Sequence, residues 1–184
     1  MKISNDSASA HERLGFIRLG NMGGAIALRL VRAGYPLTVL DLNKEKMEPL
    51  IKAGAATAET PKRVAKRSTI VLASLQPSDV EKVACGEQGI AEANQGGVIF
   101  IDLSSTAPEL AIKVSDALRA RGIEMLEAPV SGADIGATNG HLTIFAGGNY
   151  AAYQRSLPVL QHVGHMVTYL GKNGNGQIGK RINQ

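Results

Sequence analysis

Gly20-Asn21-Met22-Gly23 and Asp41 are the first residues of this 184-residue chain whose types and spacing bear on chemistry. A dinucleotide pyrophosphate needs backbone N–H groups at the start of a helix and glycines that let it come close to them. An acidic residue about 20 positions later then accepts hydrogen bonds from the adenosine ribose. Gly20 and Gly23 have the spacing of the second and third glycines of that fingerprint, and Asp41 stands where the ribose acid belongs. Leu19, Gly20, Asn21, Met22 and Gly23 would line the pyrophosphate. A carboxylate at 41 repels a ribose phosphate, so NAD is expected ahead of NADP. The first glycine of the fingerprint is replaced by Arg18. Its side chain would enter the cofactor's path, so weakened binding is expected; pairing with the pyrophosphate is the alternative. The plainer reading makes Gly20, Gly23 and Gly24 turn and packing glycines and Asp41 a helix N-cap.

Three later segments carry further candidates. Asp102-Leu-Ser-Ser-Thr-Ala-Pro puts the hydroxyls of Ser104 and Ser105 at the carboxyl end of a strand, where open α/β sheets bind ligands. Ala128-Pro-Val-Ser-Gly offers Ser131 and the Gly132 amide, and both segments could hold a carboxylate through hydroxyl and N–H donors. The plainer readings are helix capping by Ser104 or Ser105 and a Gly-rich turn at Ser131. Gly171 to Gln184 reads as a loop entering a helix. There Lys180 shares a face with Asn183 and Gln184, a cation beside two amides. Taken alone, Lys180 reads as a solvated surface charge.

These residues need a scaffold, and the sequence supplies one. Strands are expected at Leu14 to Leu19, Leu37 to Leu40, Thr69 to Leu75, Val98 to Leu103, Glu124 to Leu126, Leu142 to Ala146 and Met166 to Leu170. Helices are expected at Ala25 to Arg32, Lys44 to Lys52, Pro61 to Lys66, Ser78 to Ala84, Pro108 to Arg121 and Ala151 to Gln161. Ile70-Val-Leu-Ala and Val98-Ile-Phe-Ile are apolar throughout, as strands are when helices cover both faces of a parallel sheet. The pattern predicts an α/β fold: a doubly wound, mostly parallel sheet of Rossmann type.

Composition narrows the function classes. A net charge of +4, spread along the chain without a basic block, argues against a nucleic-acid partner. The single cysteine, Cys85, rules out an internal disulfide framework and a cysteine-rich metal site, and no metal is expected. The polar stretch from Met1 to Arg13 lacks the apolar core of a signal peptide, and no apolar run reaches membrane-spanning length. A cytoplasmic protein without a membrane partner is expected.

Gly15-Phe-Ile-Arg-Leu-Gly-Asn-Met-Gly, Asp102-Leu-Ser-Ser, Ala128-Pro-Val-Ser-Gly, Gly140-His-Leu-Thr-Ile-Phe-Ala-Gly-Gly and Gly174-Asn-Gly-Gln-Ile-Gly-Lys occur in that order. Together they make the chain resemble the 3-hydroxyisobutyrate dehydrogenase family, relatives of 6-phosphogluconate dehydrogenase that include tartronate semialdehyde reductases. The resemblance covers nearly everything after the leader. It implies NAD-dependent interconversion of a β-hydroxy acid and its semialdehyde. It makes Lys180 the catalytic lysine, Asn183 and Gln184 its amide partners, and Ser105, Ser131 and Gly132 the substrate contacts. Ala133 and His141 depart from the family pattern, and His141 is expected to be a surface or packing substitution. After the polar leader (1–13) a dinucleotide-binding domain (14–172) is expected, and the resemblance makes 173–184 the start of an interdomain helix. Relatives continue into an all-helical domain, so this polypeptide alone is expected to turn over little substrate and to self-associate through apolar surface. A non-catalytic or degenerate NAD-binding module is the competing expectation.

Overall fold

The computed structural model describes residues 12–183; Gln184 and most of the leader lie outside the described residues. Strand and helix alternate through β1 (Leu14–Ile17), α1 (Asn21–Arg32), β2 (Leu37–Leu40), α2 (Glu48–Lys52), β3 (Ala56–Thr57), α3 (Pro61–Arg67), β4 (Ile70–Ala73) and α4 (Pro77–Cys85). β5 (Ile99–Asp102), α5 (Pro108–Arg119), β6 (Glu124–Glu127), β7 (Val130–Ser131) and α6 (Ala133–Asn139) follow. The chain closes with β8 (Leu142–Gly148), α7 (Tyr150–Val163), β9 (Gly164–Tyr169) and α8 (Asn175–Asn183).

The sheet order is β3-β2-β1-β4-β5-β6-β8-β7, with β9 beside β8. The strands from β3 across to β6 are parallel. β8 then runs antiparallel to β6 and β7 and parallel to β9. This is the doubly wound, mostly parallel sheet that the sequence predicts. Successive side chains of a strand point to opposite faces. Phe16, Leu72 and Ile101 therefore join one core, with α1 and α7, while Ile17, Val71 and Phe100 join the other, with α3 and α4. Phe16 has no exposed surface, and its truncation to Ala would cost about 3–5 kcal/mol.

Helix starts follow local chemistry. α3, α4 and α5 each begin on a proline, whose missing N–H costs nothing there. α1 begins at Asn21, four residues earlier than expected, because the glycines read as turn wind into its first turn. The helix expected over Lys44 to Lys52 splits into a 3-10 turn at Lys44–Met47 and the short α2, which has Pro49 in its first turn. The Gly-rich stretch after Ser131 is a helix, α6, entered through positive φ at Gly132 and Ala133 and closed by left-handed Gly140. Glu12 and Arg13 are held to the fold: Arg155 donates to Glu12 Oε1 at 2.7 Å, and the Arg13 N–H donates to Thr69 Oγ1 at 2.9 Å. Among the described residues no helix is long and apolar enough to cross a membrane, and no cluster of three His, Cys, Asp or Glu side chains could hold a metal.

Candidate functional site

β1 stops at Ile17, and the chain turns through Arg18 at φ +72 before α1 starts. Left-handed backbone costs an L-residue about 1–2 kcal/mol that glycine avoids. The Arg18 guanidinium donates to Asp79 Oδ2 of α4 at 2.8 Å. With Ile17, Leu40, Asp41 and Val83 it lines a cleft of about 210 Å³. The side chain therefore occupies one wall of the expected cofactor cleft and is tied to its far side. Asp41 is buried; it accepts the Leu19 N–H at 2.6 Å and the Asn43 N–H at 2.8 Å. It is not a helix cap, since Asn43 caps the next turn by accepting the Glu45 N–H.

The first N–H groups of α1 have no partners within the helix. Among the described residues neither a capping side chain nor a first-turn acid covers them. The two fingerprint glycines differ in origin. A Cβ on Gly23 would collide with the Arg18 carbonyl and lie 3.1 Å from the Phe16 ring, so packing alone demands glycine there. A Cβ on Gly20 would meet nothing within 4 Å. What Gly20 keeps clear is the approach from outside, which a pyrophosphate requires. Open amides, a bare Gly20 and a ribose-side carboxylate fit a dinucleotide.

Lys180 sits on α8 at the rim of a second cleft, of about 290 Å³, lined also by Pro77, Ser105, Thr106, Gln177 and Arg181. Its Nζ donates to Ser105 Oγ at 2.5 Å. Burial alone lowers the Lys180 pKa, because it penalises the ammonium form. The capping alternatives for Ser104 and Ser105 fail: α5 is capped at Ala107 with no side-chain bond. Ser104 Oγ instead accepts the Leu75 N–H at 2.8 Å.

Several residues not singled out from sequence hold this corner. Gln177 is buried; its Oε1 accepts the Thr106 N–H at 3.0 Å and its Nε2 donates to the Ser104 carbonyl at 2.9 Å. Its position one turn before Lys180 on the same helix face was the available signal. Asn173 donates to the Met125 carbonyl at 3.1 Å and accepts from the Ser115 hydroxyl. Asp102 and Glu127 end β5 and β6; burial pushes each carboxyl up to about 6. Asp102 accepts the Ser104 N–H and Glu127 the Gly176 N–H.

Among the described residues the remaining candidates make no hydrogen bond to Lys180. Ser131 closes β7 half-buried, and Gly132 is exposed at φ +134. Asn21 donates to Asp134 Oδ2 at 3.3 Å, which ties the helix after Gly132 to the cofactor turn; Met22 is half-buried beside it. Asn183 is exposed, one turn beyond Lys180, and Gln184 lies outside the described residues. His141 is exposed, its ring 5.7 Å from that of His165.

Residues 13–171 match the family model described as the NAD binding domain of 6-phosphogluconate dehydrogenase. The chain is 37% identical over 173 residues to the 2-hydroxy-3-oxopropionate reductase of Escherichia coli (strain K12), covering 94% of this chain and 59% of that protein. It is 35% identical over 171 residues to a 3-hydroxyisobutyrate dehydrogenase of Pseudomonas aeruginosa, covering 92% of this chain and 57% of that one. The solved structure of Mycobacterium tuberculosis 3-hydroxyisobutyrate dehydrogenase with L-serine aligns at a TM-score of 0.86 and 27% identity. That alignment covers 94% of this chain and 58% of the solved chain. The chain thus spans less than two thirds of the length of these relatives.

Proposed function

The chain belongs to the family of NAD-binding domains represented by that of 6-phosphogluconate dehydrogenase, and from that premise we propose that it is the cofactor-binding part of an oxidoreductase acting on β-hydroxy acids. Residues 14–172 form the dinucleotide domain and 173–184 begin the interdomain helix. NAD is the preferred cofactor. The adenosine-side cleft carries Asp41, Glu59, Asp79 and Glu87 against Arg18 and Lys82, an acidic balance that disfavours an added ribose phosphate.

The observation that carries the reaction is Lys180 held on Ser105 at the mouth of a cleft. When bound, the nicotinamide exchanges a hydride with the carbinol carbon of the substrate. Lys180 Nζ takes the hydroxyl proton as the hydroxy acid becomes a semialdehyde, and returns it to the carbonyl oxygen in the reverse direction. Its lowered pKa enlarges the neutral fraction that the forward direction needs. Ser105 aims the ammonium, Asn183 and Gln184 orient the reacting oxygen, and Ser131 with the Gly132 N–H holds the substrate carboxylate. Substrates of the two named relatives, 3-hydroxyisobutyrate and 2-hydroxy-3-oxopropionate (tartronate semialdehyde), are the ones to try first.

The test combines NADH and NADPH calorimetry on this chain with turnover of a fusion to the C-terminal portion of the E. coli relative. NADH binding at least tenfold tighter than NADPH, with turnover of either substrate by the fusion, supports the proposal. NADH binding without turnover would favour a module that holds NAD and catalyses nothing; binding of neither dinucleotide would favour a degenerate module, the reading that left-handed Arg18 in the fingerprint supports.

A further inference from the structure

Asp102 and Glu127 are carboxylates that the proposed reaction leaves unused, and neither has exposed surface. They are direct partners at the carboxyl ends of β5 and β6. Phe100 and Met125, two residues earlier in each strand, lie in one core cluster, so both carboxyl groups point to that face. Each has one oxygen engaged. Asp102 Oδ1 accepts the Ser104 N–H at 3.0 Å, and Glu127 Oε1 accepts the Gly176 N–H at 2.8 Å. The other oxygens, Asp102 Oδ2 and Glu127 Oε2, meet no donor among the described residues.

Two ionised carboxylates buried at neighbouring strand ends are costly, and like charges so placed do not readily both ionise. The groups that act on them bring no positive charge. Ser104 faces Asp102; the backbone N–H groups of Gly174, Gly176 and Gln177 face Glu127 from the start of α8. Gly147 of β8 presents no side chain, and a Cβ there would come 2.5 Å from Glu127 Oε1. Asp102 is the charged group acting on Glu127.

We propose that Asp102 and Glu127 share one proton, and that the hydrogen bond it makes between them locks the Ser104–Thr106 turn to the start of the Lys180 helix. Both are positioning residues. Asp102 holds the residue before Ser105, and Glu127 holds an amide one turn before Lys180, so the Lys180–Ser105 contact depends on the proton between them. Only the catalytic meaning of that contact rests on the function proposed above; the shared proton does not.

The sign of the pH dependence follows. Burial holds both carboxyls near 6 in the fold, against ordinary values of 3.8 and 4.5. The folded chain therefore binds the proton more tightly than the unfolded chain. The stabilisation is fully present below about pH 4 and is lost as pH rises through about 6; between those values the one shared proton makes the unfolding constant grow by up to about tenfold per pH unit.

The experiment is a carboxyl ¹³C NMR titration of this chain from about pH 4 to 8, with amide exchange read at Gly174, Gly176 and Gln177. Linked titration of the two carboxyls near pH 6 is expected, with protection of the Gly176 amide falling about tenfold or more above it. Glu127→Gln should hold that protection level at every pH, because its amide oxygen accepts the Gly176 N–H while its NH₂ donates to Asp102 Oδ2. Independent titration at ordinary carboxylate values, or pH-independent protection in the parent chain, would overturn the proposal. If Glu127→Gln does not fold, the parent titration decides. No cofactor or substrate enters these measurements, so their failure is distinguishable from failure of the proposed reaction.

Discussion

The cofactor turn and the Lys180 corner stand at the same edge of the sheet, beyond the carboxyl ends of β1 and β5, yet they are held by different means. The turn is nearly self-contained: Arg18 to Gly24 are contiguous, and the prop beneath them, Asp41, lies 22 residues away from Leu19. The corner is assembled at long range. Glu127 to Gly176 spans 49 residues, Gln177 to Ser104 spans 73 and Lys180 to Ser105 spans 75. A surface that binds through backbone amides can be written into one short segment. An amine proposed to handle a proton has to be aimed by side chains from several strands and helices.

That contrast is open to attack by mutation. The largest effect is expected from Lys180→Ala in the catalytic fusion: turnover falls by about 10²–10⁴-fold, while NADH affinity in the isolated chain moves less than about threefold. A parallel loss of NADH affinity would merge the two regions into one. Next comes Gln177→Leu, which leaves the Thr106 N–H and the Ser104 carbonyl unpaired. Urea denaturation should show a loss of about 2–4 kcal/mol, again with NADH binding retained by the folded fraction. Gly23→Ala should act the opposite way. Its Cβ would press on the Arg18 carbonyl and the Phe16 ring, costing about 1–3 kcal/mol, and NADH affinity should drop while the Lys180–Ser105 corner keeps its amide protection. Unchanged NADH affinity there would mean the turn is not the binding surface.

The smallest effect is expected at Arg18→Gly. Removing a left-handed L-residue gains about 1–2 kcal/mol. Losing the pair with Asp79, each partner about a third exposed, gives back at most about 1 kcal/mol. Net stability should rise slightly and NADH should bind more tightly in calorimetry. Weaker binding in this variant would show that Arg18 serves the cofactor instead of obstructing it.

The two regions were unequally legible in the sequence. Continuous apolar runs such as Ile70 to Ala73 announced strands covered on both faces, and the spacing of Gly20, Gly23 and Asp41 announced the turn, because both signals are local. Lys180 was visible only through resemblance; alone it reads as a surface charge. The partner of Arg18 was not legible, since Asp79 lies 61 residues on and nothing in spacing links the two. Helix α6 was missed because Gly132, Gly136 and Gly140 read as turn residues, whereas only the first and last are at positive φ. The pairing of Asp102 with Glu127 depends on strand register, which neither strand states by itself.

The position of β1 has a consequence for how the chain is made. It emerges from the ribosome before either strand that will flank it, β2 on one side and β4 on the other. β2 follows within a few residues of α1, but β4 begins only at Ile70. At synthesis rates of about 5–20 residues per second, one edge of β1 stays uncovered for roughly 3–10 seconds after Ile17 has been added. During that interval Leu14, Phe16 and Ile17 present an unpaired apolar strand to other nascent chains. An interior strand of the finished sheet is thus a stretch that gains from a chaperone while the rest is being translated.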